Sequence, residues 1–497
     1  MLPALENASI LGIPLRRLFV IAAVVIAAFN LGLRGRMVFQ YRSDLGGVEH
    51  NVVHGIQKVM QGDVLYDDPE APPFDVIQYT PAHFLVCATI AKVFGFDAGD
   101  VRAIYLINRL VALLCNVLLA WLVFRLARVG GAASWSSILA ACFAFATLWE
   151  QSYGRMDALA SAALFGAFLA FAKWLMDPRD RHLIICGVLG VLSLMTKQSG
   201  VIALIIPVLH VLLHRQWRPF RILAVSIVVG LLVALFGLSF MGSWAHIQQH
   251  IVRGLANGYS LMMWHDLFSP ATYKYFIGWH VLAIGVVLVG MRSAHKALRF
   301  LALAVAISTV FAMVTGLKLG SRLNYLHDGL TLTFIGTSLL IARSGSPTRK
   351  NLLAWAFGLY GCLFAAFRTN SAMSWYHLGE PDELAQAEME KDLVVRDVLI
   401  NELHLLPNES LYITYRGYLE HDFVGQCVLT QKDIVQFSTR PLFDYGRFHD
   451  AMTDGTVRYV VTDKPSQPVS ILGHTYPGWV PIRSVEGRTI LGRDTTP

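Results

Sequence analysis

Apolar residues along this chain come in long, nearly uncharged blocks separated by polar loops. The blocks run to roughly 17–20 residues, the length of helix that crosses a hydrocarbon core about 30 Å thick. Eleven of them, at 15–33, 102–124, 134–150, 158–176, 183–196, 199–213, 220–240, 275–291, 298–314, 327–342 and 351–367, predict membrane helices. A further block, 79–96, contains Pro81, His83 and Lys92 and is expected to lie in or dip into the outer leaflet rather than cross. Val48, Val52, Val53, Ile56, Val59 and Met60 recur at helical spacing and predict an amphipathic helix along the membrane surface. Trp244, Ile247, Ile251 and Leu255 repeat the pattern in a second long loop.

After residue 368 the charge density becomes ordinary. Residues 380–403 read as a charged amphipathic helix, and 411–415, 457–461 and 479–485 read as strands between Gly, Pro and Asp turns. The expected architecture is an all-α polytopic membrane domain over 1–367 and a small α/β domain over 368–497. Three long stretches, 34–101, 241–274 and everything after 368, exceed what a connecting turn needs.

Composition agrees: 55% of the 497 residues are hydrophobic and 15% are charged, against about a quarter charged in soluble proteins. The net charge of +7 is not a nucleic-acid signature, because its cations sit in short loops between apolar blocks. With the N-terminus in the cytoplasm, the inner loops carry Arg125 and Arg128, Arg179 and Arg181, Arg215, Arg218 and Arg221, Arg292, Lys296 and Arg299, and Arg343, Arg349 and Lys350. That is the positive-inside pattern, and it puts the C-terminal domain outside a plasma (inner) membrane. The first block is too long for a signal-peptide core and reads as an uncleaved anchor. Five of the six cysteines lie in apolar segments, so no disulfide framework is expected.

Ionisable residues at the ends of membrane helices are costly unless they are used or paired. By this topology the outer face collects Asp44, Glu49, Asp63, Asp67 and Asp68, then Arg155 and Asp157, Lys197 and Gln198, His265 and Asp266, and finally Lys318, Arg322, Asn324, Tyr325, His327 and Asp328. Carboxylates and cations together at the level of lipid headgroups suit a reaction on a lipid-linked anionic substrate. A transporter or flippase, the alternative, would instead place charges at mid-membrane among broken, repeated helices.

The order of elements from residue 15 to 345 resembles GT-C-type glycosyltransferases that use polyprenyl-phosphate sugars, such as protein O-mannosyltransferases and lipid A aminoarabinose transferases. The resemblance rests on Asp44 soon after the first helix, GIQKVMQGDVLYDDP (55–69), FDVIQYTPAHFL (74–85), Arg155-Met-Asp157, the run from Gly190 to Lys197, and KLGSRLNYL (318–326). The first loop reads Ser43-Asp44-Leu45 where the mannosyltransferases have an Asp-Glu pair, which turns the expectation away from protein acceptors. The resemblance implies Asp44 as general base, taking the proton of an acceptor hydroxyl as it attacks the anomeric carbon. It implies inversion, a polyprenyl-phosphate-linked sugar donor, a lipid or glycan acceptor, and no cofactor. Lys197, Lys318, Arg322 and Arg155 are the candidates for the donor phosphate. Asp157, Glu49, Tyr66, Tyr79, Asn324 and Tyr325 are the candidate supporting residues.

Each role has a plainer reading. Asp44 suits a helix N-cap for the amphipathic run, and Asp157 suits a simple pair with Arg155. Lys197 is placed to snorkel to headgroups, and Lys318 and Arg322 suit ordinary loop positions. His50/His54 and His246/His250 have the i, i+4 spacing that puts two imidazoles on one helix face and are the weak metal candidates, but neither has the H-E-x-x-H arrangement and interfacial histidines are common, so no metal site is expected.

Overall fold

The computed structural model describes residues 9–10, 13–267, 274–321, 323–430 and 442–493. The helices of the first half are α1 (Leu15–Phe39), α2 (Glu49–Gln61), α3 (Ala82–Val93), α4 (Val101–Val129), α5 (Ser134–Thr147), α6 (Asp157–Met176), α7 (Asp180–Thr196), α8 (Ile202–Leu213) and α9 (Trp217–Leu238). Seven of the described helices are long and apolar enough to cross a membrane: α1, α4, α6, α9, Lys274–Met291, Lys296–Thr315 and Pro347–Trp375. α3, at 12 residues, rises only about 18 Å, short of the hydrocarbon thickness.

The chain divides into two compact units. The first comprises Met1–Val38, Arg109–Leu235 and Tyr259–Gly379. α6 is its centre: Phe165, Phe168 and Phe171 are fully buried, and Phe168 and Phe171 meet Phe300 at ring distances of 5.4 and 4.7 Å. α9 is the opposite case, with Val225, Val229, Leu232 and Val233 exposed. An apolar helix that leaves its side chains uncovered needs lipid as its solvent. Helices in this unit approach through small residues, as membrane bundles do. A Cβ on Gly361 would stand 2.0 Å from the Phe143 ring, so only glycine admits that contact.

Between α7 and α8 the helix breaks. Lys197 is extended (φ −156°, ψ 138°), and a short 3-10 turn, Gln198–Val201, leads into α8. The 183–213 region is therefore two helices, and the break presents the Lys197 side chain at a helix end.

The second unit comprises Phe39–Asn108, Phe236–Gly258 and Glu380–Pro497. Thus it is assembled from both long loops and the C-terminal stretch, not cut at one point in the chain. A small ribbon in the first unit supplies β1 (Ser9–Ile10) and β2 (Ile13–Pro14); the second unit's strands are β3 (Ser410–Ile413), β4 (Val457–Thr462), β5 (Val469–Ile471), β6 (His474–Tyr476), β7 (Trp479–Val485) and β8 (Arg488–Arg493). The main sheet has the order β3-β4-β8-β7, with β3 parallel to β4 and the other pairs antiparallel. Alternation along the strands feeds two cores. Leu411, Ile413, Tyr459, Val461 and Ile490 pack with Val395 and Leu399 of the helix Asp382–Asp397 and its continuation. Tyr412, Val457, Val460 and Leu491 pack on the other face with Phe448 and, from the first loop, Phe74 and Val76. The Leu429 N–H donates to the Pro73 carbonyl at 2.8 Å, tying the loop to that core.

Candidate functional site

Two clusters hold the predicted site residues, one in each unit. In the first unit, Asp157 opens α6 and is almost fully buried. Its Oδ1 receives Lys197 Nζ at 2.5 Å and Asn324 Nδ2 at 2.8 Å, and Arg155 Nε lies 3.1 Å from Oδ2. The Arg155 guanidinium also donates to the Tyr153 hydroxyl at 2.8 Å, and Lys197 sits 5.1 Å over the Tyr325 ring. Below them, Gln151 Nε2 donates to Ser161 Oγ at 3.0 Å, and Ser161 donates to Asp328 Oδ1 at 2.9 Å. Asp157, Lys197, Asn324, Gln151, Ser161 and Asp328 line a chamber of about 20 Å³, room on the scale of one water. Gly200 closes it tightly, since a Cβ there would stand 2.4 Å from the Ser193 backbone.

Lys318 differs from the other predicted phosphate cations. Arg155 and Lys197 are both committed to Asp157, whereas among the described residues Lys318 has no acidic partner. Burial, helped by the positive charge of Lys197, pushes its ammonium down to about 8. Counted formally, Arg155, Lys197 and Lys318 face Asp157 and Asp328, which leaves one positive charge in excess. Arg322 lies outside the described residues.

In the second unit, Asp44 is not the N-cap of α2; that position is Val48, with no side-chain cap. Instead Asp44 Oδ1 accepts from the Gly46 and Gly47 N–H groups at 3.1 and 2.8 Å, folding the loop into a tight turn. Its Oδ2 receives Arg416 Nη1 at 3.1 Å. Asp44 lines a cavity of about 220 Å³ together with Arg42, Glu388, Arg416 and Arg488. Glu49, fully buried, accepts from the Leu45 N–H at 3.3 Å and so braces the same turn. Tyr66 is a buried buttress whose hydroxyl donates to the Tyr79 carbonyl at 2.8 Å.

Three of the four histidines have their rings engaged elsewhere in that unit. His54 Nε2 bonds Asp75 at 2.7 Å, and His50 Nε2 lies 2.8 Å from Glu420. His250 accepts from the Ile77 N–H and donates to the Asp67 carbonyl, both at 2.8 Å, so both ring nitrogens are used. Burial pushes it down to about 4, which keeps the ring neutral. His246 is half-buried, and its backbone N–H donates to Ser243 Oγ, the N-cap of the helix Trp244–Ile251. Among the described residues no group of three or more His, Cys, Asp or Glu is placed to hold a metal ion.

This arrangement of helices and small sheet recurs in solved structures. Apo ArnT from Cupriavidus metallidurans superposes with a TM-score of 0.61 over 94% of this chain and 97% of its own, at 14% identity. The apo oligosaccharyltransferase of Archaeoglobus fulgidus gives 0.58 over 90% of this chain and 70% of its own, at 12% identity. The archaeal oligosaccharyltransferase AglB, in complex with an inhibitory peptide and a dolichol-phosphate, gives 0.52 with the same coverage and identity. The chain shares the fold of these structures, in keeping with the resemblance to GT-C-type enzymes read from its sequence. No family model and no curated sequence matches the chain.

Within this fold, sequence reasoning overlooked two parts of the clusters. Arg416, the partner of Asp44, is 372 residues away in the chain and carries no local signal. Glu150 bonds both Arg368 and His327, the latter at 2.8 Å. Its signal was available as a carboxylate at the end of an apolar block, the criterion that drew attention to Asp157.

Proposed function

We propose that the chain is a membrane glycosyltransferase that moves one sugar from a polyprenyl-phosphate donor to a lipid or glycan acceptor at the outer face, with inversion. The observation that carries this reading is the GT-C fold shared with a transferase, ArnT, along nearly the whole of both chains. AglB, of the same fold, was solved with a dolichol-phosphate, which supports a polyprenyl-phosphate donor here. The first unit supplies the membrane part and the second the outer soluble part, with the N-terminus in the cytoplasm, an orientation the loop cations support.

In the reaction, the acceptor oxygen forms a bond to the anomeric carbon as that carbon's bond to the phosphate oxygen breaks. The acceptor hydroxyl proton passes to the Asp44 carboxylate, and the polyprenyl phosphate leaves with its electron pair. One displacement inverts the carbon. In the first unit, Lys318, with Lys197 and Arg155 fixed by Asp157, is the cation assigned to the donor phosphate.

The test is transfer of radiolabelled sugar from a panel of polyprenyl-phosphate sugars by purified protein, with Asp44→Asn as the paired variant and donor binding measured beside it. Turnover should depend on Asp44, and donor binding should not. Near-normal turnover in Asp44→Asn would remove Asp44 from the mechanism. Absence of transfer from every donor by the unaltered protein would remove the reading itself.

A further inference from the structure

The cavity that Asp44 lines is built mostly by the C-terminal stretch. Positions 384, 385, 388, 389 and 392 fall on one face of the helix Asp382–Asp397, at i, i+1, i+4, i+5 and i+8. The loop 416–418 forms a second wall, and Arg488, at the start of β8, forms a third. Residues 41–44, which follow α1, complete the ring. Gly417 lets the second wall lie against the first: a Cβ there would stand 2.2 Å from Asp392 Oδ2.

The charges in this ring balance. Arg42, Arg416 and Arg488 face Asp44, Glu388 and Asp392, and Glu380 paired with Arg42 and Lys391 paired with Glu388 keep the count even, four against four. A pocket with no net charge has little preference for a phosphate or any other polyanion. Alternating guanidinium donors and carboxylate acceptors suit a group of hydroxyls, each of which both donates and accepts. The volume, about 220 Å³, lies below the roughly 300–1,000 Å³ of sites for drug-sized ligands. It is on the scale of one sugar ring.

The floor of the pocket is fixed, and one donor in it has no hydrogen-bond partner. Asp392 accepts from the Tyr415 hydroxyl at 3.0 Å and from the Tyr418 and Leu419 N–H groups at 2.9 and 3.3 Å. Arg488 stacks 4.1 Å over the Tyr415 ring and donates from Nη2 to Glu388 at 2.8 Å. Its Nε–H is buried with no hydrogen-bond partner, the nearest acid being Asp392 at 3.8 Å. Buried donors are almost always satisfied, so an open one in a lined cavity marks a place for a ligand acceptor atom. At the rim, Glu388 is half exposed while it accepts from Arg488 and, at 2.6 Å, from Lys391, so its carboxylate is held at the pocket mouth.

We propose that this pocket binds the acceptor, and that the acceptor group is a single neutral sugar residue of a glycan, presented so that one hydroxyl reaches Asp44. The proposal rests on the reading of Asp44 as the base, and it assigns the C-terminal stretch the task of choosing the acceptor. A lipid phosphate headgroup is thereby disfavoured as the recognised part of the acceptor.

The test uses the full chain in nanodiscs, with saturation-transfer NMR on a panel of neutral methyl glycosides of hexoses and 6-deoxyhexoses, and hexose 6-phosphates as the anionic probes. At least one neutral glycoside should receive saturation, and the 6-phosphates should not compete. Glu388→Gln and Arg42→Gln should each weaken that glycoside about tenfold, and thermal unfolding of each variant should match the parent. In the transfer assay the same variants should raise the acceptor KM about tenfold while leaving kcat and donor affinity unchanged. Preference for the anionic probes, or an acceptor KM indifferent to both substitutions, overturns the pocket assignment even if Asp44→Asn abolishes transfer. Glycoside binding lost in Glu388→Gln, with no transfer from any donor, keeps the pocket and overturns the transferase reading.

Discussion

The two aspartates, one in each unit, are set up in contrasting ways. Asp157 is buried at the head of a helix with three side chains converging on it, and the chamber around it has room on the scale of one water. Asp44 is held by two backbone N–H groups and one guanidinium, and it opens onto a cavity about ten times larger. A carboxylate enclosed by fixed cations organises them; one on a cavity wall is placed to meet a substrate. Under the proposed reading the difference would separate a residue that positions others from one that reacts, although a sequence shows both simply as aspartates near helix ends.

The largest expected effect tests the reactive side of that contrast. Asp44→Asn keeps the turn, because the amide oxygen still accepts from Gly46 and Gly47, but it removes the proton acceptor. Turnover should fall by about two to four orders of magnitude, with the melting temperature little changed, as read by the radiolabel assay and thermal unfolding side by side.

Asp157→Asn should behave the other way round. It leaves Lys197 and Arg155 buried without their carboxylate, and breaking such a pair costs about 3–5 kcal/mol of stability. Unfolding in detergent, followed by denaturant titration, measures it; a stable protein with turnover lost would move Asp157 to the reactive side.

A smaller effect is expected at Lys318. Replacing it with Ala should weaken donor binding by about 1.5–3 kcal/mol, the worth of one charged hydrogen bond. Unchanged affinity would return Lys318 to an ordinary loop cation.

The smallest effect is in pH. Lys318, at about 8, is protonated below that value and neutral above it. Donor affinity should therefore decline as pH rises through 8, and Lys318→Arg should remove the inflection, because guanidinium stays charged. An inflection that persists in the Arg variant assigns it to another group.

The apolar blocks made the helical character of the chain legible, but their ends were misread where charge is hidden. The block 15–33 is the start of Leu15–Phe39, because Arg34 is fully buried, 4.2 Å over the Phe145 ring and 4.9 Å over Trp149. The block 351–367 is part of Pro347–Trp375, because Arg368 is neutralised by Glu150 and the helix runs on past it. Hydropathy stops at a charge, whereas a paired or stacked charge does not stop a helix. The strand motifs 411–415, 457–461 and 479–485 fall on β3, β4 and β7, since alternation is local. The ring of charges around Asp44 was not legible: residues 42, 388, 416 and 488 are brought together only by the fold.

The interleaved make-up of the second unit has a consequence for biogenesis. Phe74 and Val76 belong to the same core as Tyr412 and Phe448, yet 338 residues of chain separate Phe74 from Tyr412. At about 5–20 residues per second of synthesis, the first loop emerges roughly 20–70 s before its core partners exist. During that interval two buried aromatic and aliphatic side chains of the finished protein have nothing to pack against but lipid or a chaperone. A ribosome stalled anywhere before the last strands should leave the Phe74 segment open to protease, and release of the completed chain should close it.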